Sequence, residues 1–529
     1  MKQIIADQIG YQTRSRKSAV LRGNVPKTFE VKNLKSGKVV YTGSLSEPVK
    51  NKQAGETDYI ADFTEVIEPG QYMIQAEGCK PSMPFTIGDH VYDQVIHDLL
   101  RFFYLQRCGV EVQEKYAGVF AHPSCHDTLA RVHGTNQILD VRGGWHDAGD
   151  YGRYIVAAAV AVADLLLAYE NDPAQFGQNL NIPESTLAVP DLLSEVRFEL
   201  EWMMKMQIPE SGEVYHKVTC AGFPDLSVMP EEEREELIIC PPSITATADF
   251  AAVMAMATRF YMDYDEEFAK RCLRAAIKAY DAMQGMFLPG GFKNPKDIVT
   301  GEYGDSSDVD ERYWAAAELY KTTGEERYYE DVRRQLKKGF IHGYGWTDVA
   351  SFGNAAYLST HQYPVDEELK KQLEQSMVNY ANMLLGYARR DAYGFSLPEY
   401  EWGSNMYVAN NAYHLHDAYR ITGKSEYLEA AREQVHYLLG RNANAVCFVT
   451  GSGTVSPEKP HHRPSAAKRQ AMRGMLVGGP DEGFHDTCAQ DKLRDAAPAR
   501  VYIDDLESYS TNEVTIYWNS ALLMALSVI

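Results

Sequence analysis

Near residue 90 the hydrophobic pattern changes period, and this change limits what the chain can fold into. Before it, runs such as FEVKNL, KVVYTGSL, DYIADF and QYMIQA alternate apolar and polar residues between the turns KSGK, EPG and EGCKPS. Alternation of that length predicts a small β-sandwich over residues 1–88. After it, apolar residues return at helical spacing, predicting helices near 91–107, 151–169, 189–207, 244–261, 265–283, 309–322, 326–338, 348–358, 367–389, 404–422, 425–439 and 513–528. Several meet through short polar joints, YMDYDEEF, YKTTGEERYY and YRITGKSEYL, which predict antiparallel αα-hairpins. Such hairpins stack into bundles, solenoids or closed toroids. The expected organisation is therefore an all-β domain over 1–88 and an all-α domain over 89–529.

Charge and composition exclude several partners. The 529 residues are 45% hydrophobic and 24% charged, which suits a packed globular chain. A formal net charge of −21 repels phosphate backbones and anionic bilayers, so neither nucleic acid nor membrane is an expected partner. The apolar run IVAAAVAVA at 155–163 ends at Asp164. It is too short for the roughly 20 residues of a membrane helix and predicts a buried one. Eight irregularly spaced cysteines predict reduced thiols, some metal-bound, rather than a disulfide framework. The polar opening MKQIIADQIGYQ is no signal peptide, so the expected location is the cytoplasm, or outside the cell if a leader precedes Met1 in the full gene product.

Chemistry is sought in the long loops 108–150, 208–243, 285–308 and 441–512, because connections of that length inside a compact domain are usually functional. GGWHDAGDYG sets Asp147 and Asp150 three apart. Two like charges this close repel, so a chain that keeps both uses them on a metal, water or substrate, although Asp-Ala-Gly-Asp is also an ordinary turn in which Asp150 caps the next helix. Near the C-terminus, RVYIDDLESYSTNEVTIYWNS puts Glu513 at the start of the last helix among Tyr502, Tyr509, Tyr517 and Trp518. A carboxyl partly desolvated among aromatic rings gains a raised pKa suited to an acid, and such rings stack on sugars; a first-turn glutamate also serves as a plain cap. Cys108, Cys125, His126 and His146 form a two-thiol, two-imidazole set of the kind Zn²⁺ takes, at no common finger spacing. In GDSSDVDERYW, Ser306, Asp310 and Glu311 gather oxygen ligands at a helix start, as Ca²⁺ prefers, or simply favour the helix dipole.

These motifs together resemble glycoside hydrolase family 9, the inverting β-1,4-glucanases, in the subgroup with an N-terminal immunoglobulin-like domain. The run Tyr502, Asp504, Tyr509, Glu513, Thr515, Asn519, Ser520 fits the family's C-terminal signature, GGWHDAGD its aspartate motif and PHHRPS at 460–465 its histidine motif. The chain departs from the family pattern at Cys447 and Val455. The resemblance implies an immunoglobulin-like sandwich followed by an (α/α)6 toroid, with Asp150 as base, Asp147 holding the same water and Glu513 as acid. It implies sugar contacts from His461 and Arg463, to which the rings around Glu513 add Tyr509 and Trp518 as expected contacts. It also implies structural zinc on Cys108, Cys125, His126 and His146, and calcium on Ser306, Asp310, Glu311 and Asp348. The expected substrate is cellulose, cello-oligosaccharide or mixed-linkage β-glucan, acted on by a monomer.

Rival readings predict different sequences or behaviour. A zinc-dependent hydrolase would keep an open metal position and survive loss of Glu513, and a non-catalytic glycan-binding protein would lack one of the three carboxylates. An exo-acting cellodextrinase on the same fold differs in the loops that close one end of the cleft, and a glucosaminidase would want a carboxylate placed for the sugar ammonium.

Overall fold

The computed structural model describes residues 2–23, 25–186, 188–287 and 289–529. The chain forms two compact units, one of residues 1–102 with 378–529 and the other of 103–377.

The first unit opens with nine strands: β1 Gln3–Ile5, β2 Gly10–Tyr11, β3 Ser18–Arg22, β4 Thr28–Asn33, β5 Val39–Ser44, β6 Val49–Asn51, β7 Glu56–Asp62, β8 Gly70–Gln75 and β9 Phe85–Ile87. They form two sheets, ordered β1-β3-β7-β6 and β2-β9-β8-β4-β5. Alternate residues, among them Leu21, Phe29, Val31, Ile74 and Phe85, fill one apolar core around Tyr11. The predicted alternation thus becomes a sandwich because strands of both sheets turn apolar residues into this core.

The sandwich is fastened to residues 391–500 by buried polar contacts. Asp7 Oδ2 lies 2.8 Å from His436 Nδ1, Arg22 donates to the Ala443 carbonyl at 2.7 Å, and Tyr393 donates to Glu56 at 2.8 Å. Gln8 reaches furthest: its Oε1 accepts from Thr454 N at 3.0 Å and Val455 N at 2.8 Å while Nε2 donates to the Ala445 carbonyl at 2.9 Å. The two departures from the family pattern fall in this loop, where Cys447 N also bonds the Val455 carbonyl at 2.9 Å.

All twelve expected helices form, as Asp93–Leu105, Ile155–Asn171, Asp191–Lys205, Ile244–Tyr261, Glu266–Met283, Val309–Thr323, Glu326–Lys338, Ala350–Leu358, Glu367–Ala388, Ser404–Thr422, Ser425–Leu438 and Ile516–Leu526. They alternate in character. Ile155–Asn171, Ile244–Tyr261, Val309–Thr323, Ala350–Leu358, Ser404–Thr422 and Ile516–Leu526 are buried almost all round, whereas those between them bury one face. A helix apolar on every side must be enclosed by others, whereas an amphipathic one can border solvent, so the alternation in burial follows from the residues themselves. The short joints work as their residues dictate: Asp265 accepts Phe268 N at 3.0 Å as a cap, and Gly324 and Gly423 end their helices at φ 71° and 69°.

One element escaped the periodicity. In the second unit, β10 Ala130–Val132, β11 Ile138–Leu139, β12 Arg153–Tyr154, β13 Lys217–Thr219 and β14 Ile238–Ile239 form a sheet ordered β11-β10-β14-β13-β12. Strands of two or three residues are too short to show alternation, so four of them lie in regions expected as loops and β12 replaces the first turn of the helix expected from 151.

Candidate active site

The second unit holds the aspartate motif on a tightly pinned loop. His146 N bonds the Gln106 carbonyl at 2.8 Å and Cys108 N the Gly144 carbonyl at 2.8 Å. Trp145 N donates to Glu199 at 2.6 Å, and its indole to Glu195 at 2.8 Å. Gly143 and Gly144 make the sharp turn at φ 112° and 79°, and a Cβ on Gly144 would stand 2.6 Å from the Trp202 ring. Asp147 and Asp150 are 1% and 7% exposed. Asp150 does not cap the following helix. Its Oδ2 accepts Gly152 N at 3.1 Å and faces the Tyr154 hydroxyl at 3.5 Å, and Tyr154 occupies the cap position. Tyr303, which sequence reasoning missed, donates to Asp147 Oδ2 at 2.5 Å. Burial, with the charge of Asp150, holds the Asp147 carboxyl well above the usual range despite that bond.

Beside this loop the four expected ligands converge. The ligand atoms of Cys108, Cys125, His126 and His146 all lie within 4.8 Å of one another, and all four residues are buried. Cys125 Sγ is 3.8 Å from His146 Nε2. His126 Nε2 pairs with Glu233 Oε2 at 2.8 Å, which leaves its Nδ1, buried and without a partner among the described residues, for the cluster. Burial raises the Cys108 thiol, but Cys125 and the charges of Arg153 and His146 outweigh it and hold the thiol well below its usual value. The chemistry of this set suits a tetrahedral metal ion, and a metal with four protein ligands would leave no position for substrate.

The acidic group expected around residue 310 is larger than its motif. Asp310 Oδ2 accepts Val349 N at 2.8 Å and Asp348 Oδ1 accepts Ala350 N at 3.1 Å. Both Glu311 oxygens are buried without a hydrogen-bond partner among the described residues, as are both oxygens of Asp249 and Oδ2 of Asp305. Burial and then Asp310 push Asp348 up to about 7. Ser306 differs from expectation: it is exposed, while Asp305 beside it is buried.

The first unit carries the glutamate. Glu513 is not in a helix first turn, as its sequence context predicted. It is extended at φ −69°, ψ 164°, closing the short helix Tyr509–Asn512, and the last helix begins at Ile516 with Thr515 as its cap. Asp486 anchors that short helix by accepting from Ser508 Oγ at 2.8 Å, Ser510 N at 2.9 Å and Ser510 Oγ at 2.7 Å. The Glu513 carbonyl accepts Gly478 N at 3.0 Å, and His461 N bonds the Asn512 carbonyl at 2.9 Å. The histidine motif thus runs alongside Glu513 as one bridge of parallel strand. His461 Nδ1 lies 2.7 Å from the Leu506 carbonyl, and burial pushes its pKa down to about 4. Arg463 is buried at the start of the helix Arg463–Lys468.

The aromatic surroundings correct one expectation. Trp518 is 4% exposed, and its ring lies under Gly403 and Gly478, so it offers no open face for a sugar. The exposed rings are Tyr509 at 37% and Trp402 at 41%, 5.4 Å apart, with Tyr509 donating to the His485 carbonyl at 2.7 Å. Trp402 had no distinguishing sequence context.

Comparison with known proteins now decides the family. Residues 92–526 match the sequence model of Glycosyl hydrolase family 9, and residues 1–81 that of the Cellulase N-terminal ig-like domain. The chain belongs to glycosyl hydrolase family 9. This hydrolase is 35% identical over 551 residues to a cellodextrinase of Butyrivibrio fibrisolvens, covering 100% of this chain and 99% of the relative. Its fold matches the structure of AaCel9A in complex with cellobiose-like isofagomine at a TM-score of 0.93 and 35% identity, covering 99% of each chain. It also matches a Zn-binding triple mutant of the family 9 endoglucanase J30 at a TM-score of 0.91 and 34% identity, covering 98% of this chain and 99% of that one. The fold class is therefore an immunoglobulin-like sandwich followed by an (α/α)6 helical domain, and the hydrolase acts on carbohydrate.

Proposed function

We propose that this family 9 enzyme hydrolyses β-1,4-glucosidic bonds of soluble glucans by single displacement, with inversion at the anomeric carbon. Asp150 is the base that takes a proton from the attacking water, Asp147 orients that water, and Glu513 protonates the leaving oxygen. The observation that carries this reading is the asymmetry of the carboxylates. Two are buried on a pinned loop with Tyr303 bonded to one of them, and the third is part-exposed beside open aromatic rings. Tyr303 fixes one Asp147 oxygen, and its other oxygen, buried and unpartnered among the described residues, is the acceptor for the water. An inverting pair needs its carboxyl groups roughly 6.5 to 9.5 Å apart to admit that water. His461, Arg463, Tyr509 and Trp402 are the proposed sugar contacts.

Zn²⁺ is the metal proposed for Cys108, Cys125, His126 and His146, where it would supply cross-linking rather than catalysis. It would join the end of the first long helix to His146, next to Asp147. Ca²⁺ is proposed for Asp310, Glu311 and Asp348, with Asp305 and Asp249 adding charge; the unpartnered buried oxygens of Glu311 and Asp249 support a cation there. The protein is proposed to act as a monomer. The full-length likeness to a cellodextrinase supports cello-oligosaccharides over crystalline cellulose. Product analysis on cellopentaose, barley glucan and chitosan oligomers tests this: cellopentaose and barley glucan should be cut, and hydrolysis of chitosan oligomers alone would overturn it.

A further inference from the structure

Lys217 is a buried cation that the mechanism above does not use. It lies on β13 directly opposite Tyr154 of β12, and its ammonium is 5.3 Å from the centre of the Tyr154 ring. It donates to the Gly301 carbonyl at 2.6 Å, the Thr300 hydroxyl at 3.1 Å and the Thr300 carbonyl at 3.4 Å. These acceptors are neutral. A buried ammonium without a direct counter-ion is costly, and such a group is kept where its charge or its grip is needed.

The segment it grips leads to Tyr303. Next to Lys217, His216 Nε2 lies 3.0 Å from the Glu302 carbonyl, and Thr219 donates to the Thr300 hydroxyl at 3.1 Å. β13 and His216 just before it thereby fix residues 300, 301 and 302 in succession. Tyr303 itself sits at φ 48°, a conformation that bulky side chains rarely adopt and that surrounding contacts must enforce. In this conformation the Tyr303 hydroxyl donates to Asp147 Oδ2.

We propose that Lys217 is a positioning residue for the hydrolytic base, clamping the Thr300–Tyr303 segment onto Asp147 and placing a buried positive charge near Asp150. This rests on the reading of Asp150 as base. The titratable groups around the ammonium are Asp150 on the motif loop, Tyr154 on β12, Glu302 before Tyr303, and Cys240 after β14. His216, just before β13, is held neutral, since burial pushes it down to about 3. Attraction between Lys217 and Asp150 acts on both, so what favours the ammonium also favours the carboxylate. Burial pushes Lys217 down to about 8, which leaves it charged across the acid range where a carboxylate base takes up its proton.

The test measures kcat and KM on cellopentaose across pH for Lys217→Met, Lys217→Arg, Tyr303→Phe and the Lys217→Met/Tyr303→Phe double variant, with melting temperature and metal content recorded. Lys217→Met should lose about ten- to hundredfold in kcat with KM nearly unchanged, and the acid limb of its profile should rise by about one pH unit. Lys217→Arg should keep the wild-type acid limb. The double variant should cost less than the product of the two singles. A folded Lys217→Met enzyme with an unmoved acid limb, or strict additivity with Tyr303→Phe, overturns the proposal. If Lys217→Met does not fold, Thr300→Val replaces it, which removes one grip, and its additivity with Tyr303→Phe is equally decisive against the clamp. Asp150→Asn assayed in parallel separates the two claims: an active Asp150→Asn enzyme removes the base assignment, whereas an inactive one with an unmoved Lys217→Met profile removes only Lys217.

Discussion

Asp147 and Asp150 stand on a loop held by buried side chains from the neighbouring helices and a small sheet, whereas Glu513 ends a short helix, part-exposed beside Tyr509 and Trp402. In the proposed mechanism the two regions serve one reaction with opposite surroundings. A base that aims a small water must be fixed to a fraction of an ångström, so its neighbours are polar, buried and bonded. An acid that meets a bulky leaving sugar needs access, so it sits at an open aromatic surface and is secured through its backbone. Rigidity is spent on the water side and openness on the sugar side.

The largest expected effect breaks both regions. Asp150→Asn and Glu513→Gln should each lower kcat on cellopentaose by about 10²- to 10⁴-fold while melting normally. Their substrates then distinguish the regions. On an aryl cellobioside, whose leaving group needs no proton, Glu513→Gln should recover much of its rate and Asp150→Asn should not. Equal recovery by both would erase the division between base and acid.

Next in size is the metal cluster. Cys108→Ser, or exhaustive chelation, should cost activity in proportion to lost zinc and lower the melting temperature, because the cluster includes His146, the residue before Asp147. A fully active protein without zinc by elemental analysis contradicts this. On the open side, Trp402→Ala should raise KM for cellopentaose by about tenfold, roughly 1.4 kcal/mol of binding, with kcat much less affected. A fall in kcat at constant KM would give Trp402 a role in the chemistry instead.

The smallest effect lies in the sandwich. Burial, aided by Glu56, pushes Asp58 up to about 7 from an ordinary 3.8. Its folded value exceeds its unfolded one, so its contribution to stability is complete below about pH 4 and is lost as pH rises through about 7. Asp58→Asn should therefore raise the melting temperature by a few degrees near pH 8 and leave it unchanged near pH 4. A shift of equal size at both values would assign the effect to packing.

Long elements were legible because their periodicity is averaged over many residues: the twelve helices and the sandwich follow from it, and Gly324, Gly423 and Asp265 mark joints that the residues themselves announce. The aspartate motif was legible for another reason, since two carboxylates three apart need an electrostatic explanation. What escaped depends on distant residues meeting. Tyr303 lies 156 residues from Asp147 and belongs to no pattern. Glu233 sits in a run of acids that reads as a solvated face, yet it pairs with His126. Glu513 stands before the last helix rather than at its start, because Thr515 is the cap. Trp518 was taken for a sugar contact because it is aromatic and near Glu513, but the packing of Gly403 and Gly478 over it turned its ring inward.

Single displacement is the claim on which the division between the two regions depends, and the configuration of the first product tests it most directly. Proton NMR of cellopentaose hydrolysis, recorded before mutarotation, should show the new reducing end appearing as the α-anomer. Appearance of the β-anomer first would mean two displacements through a covalent intermediate and would contradict the account.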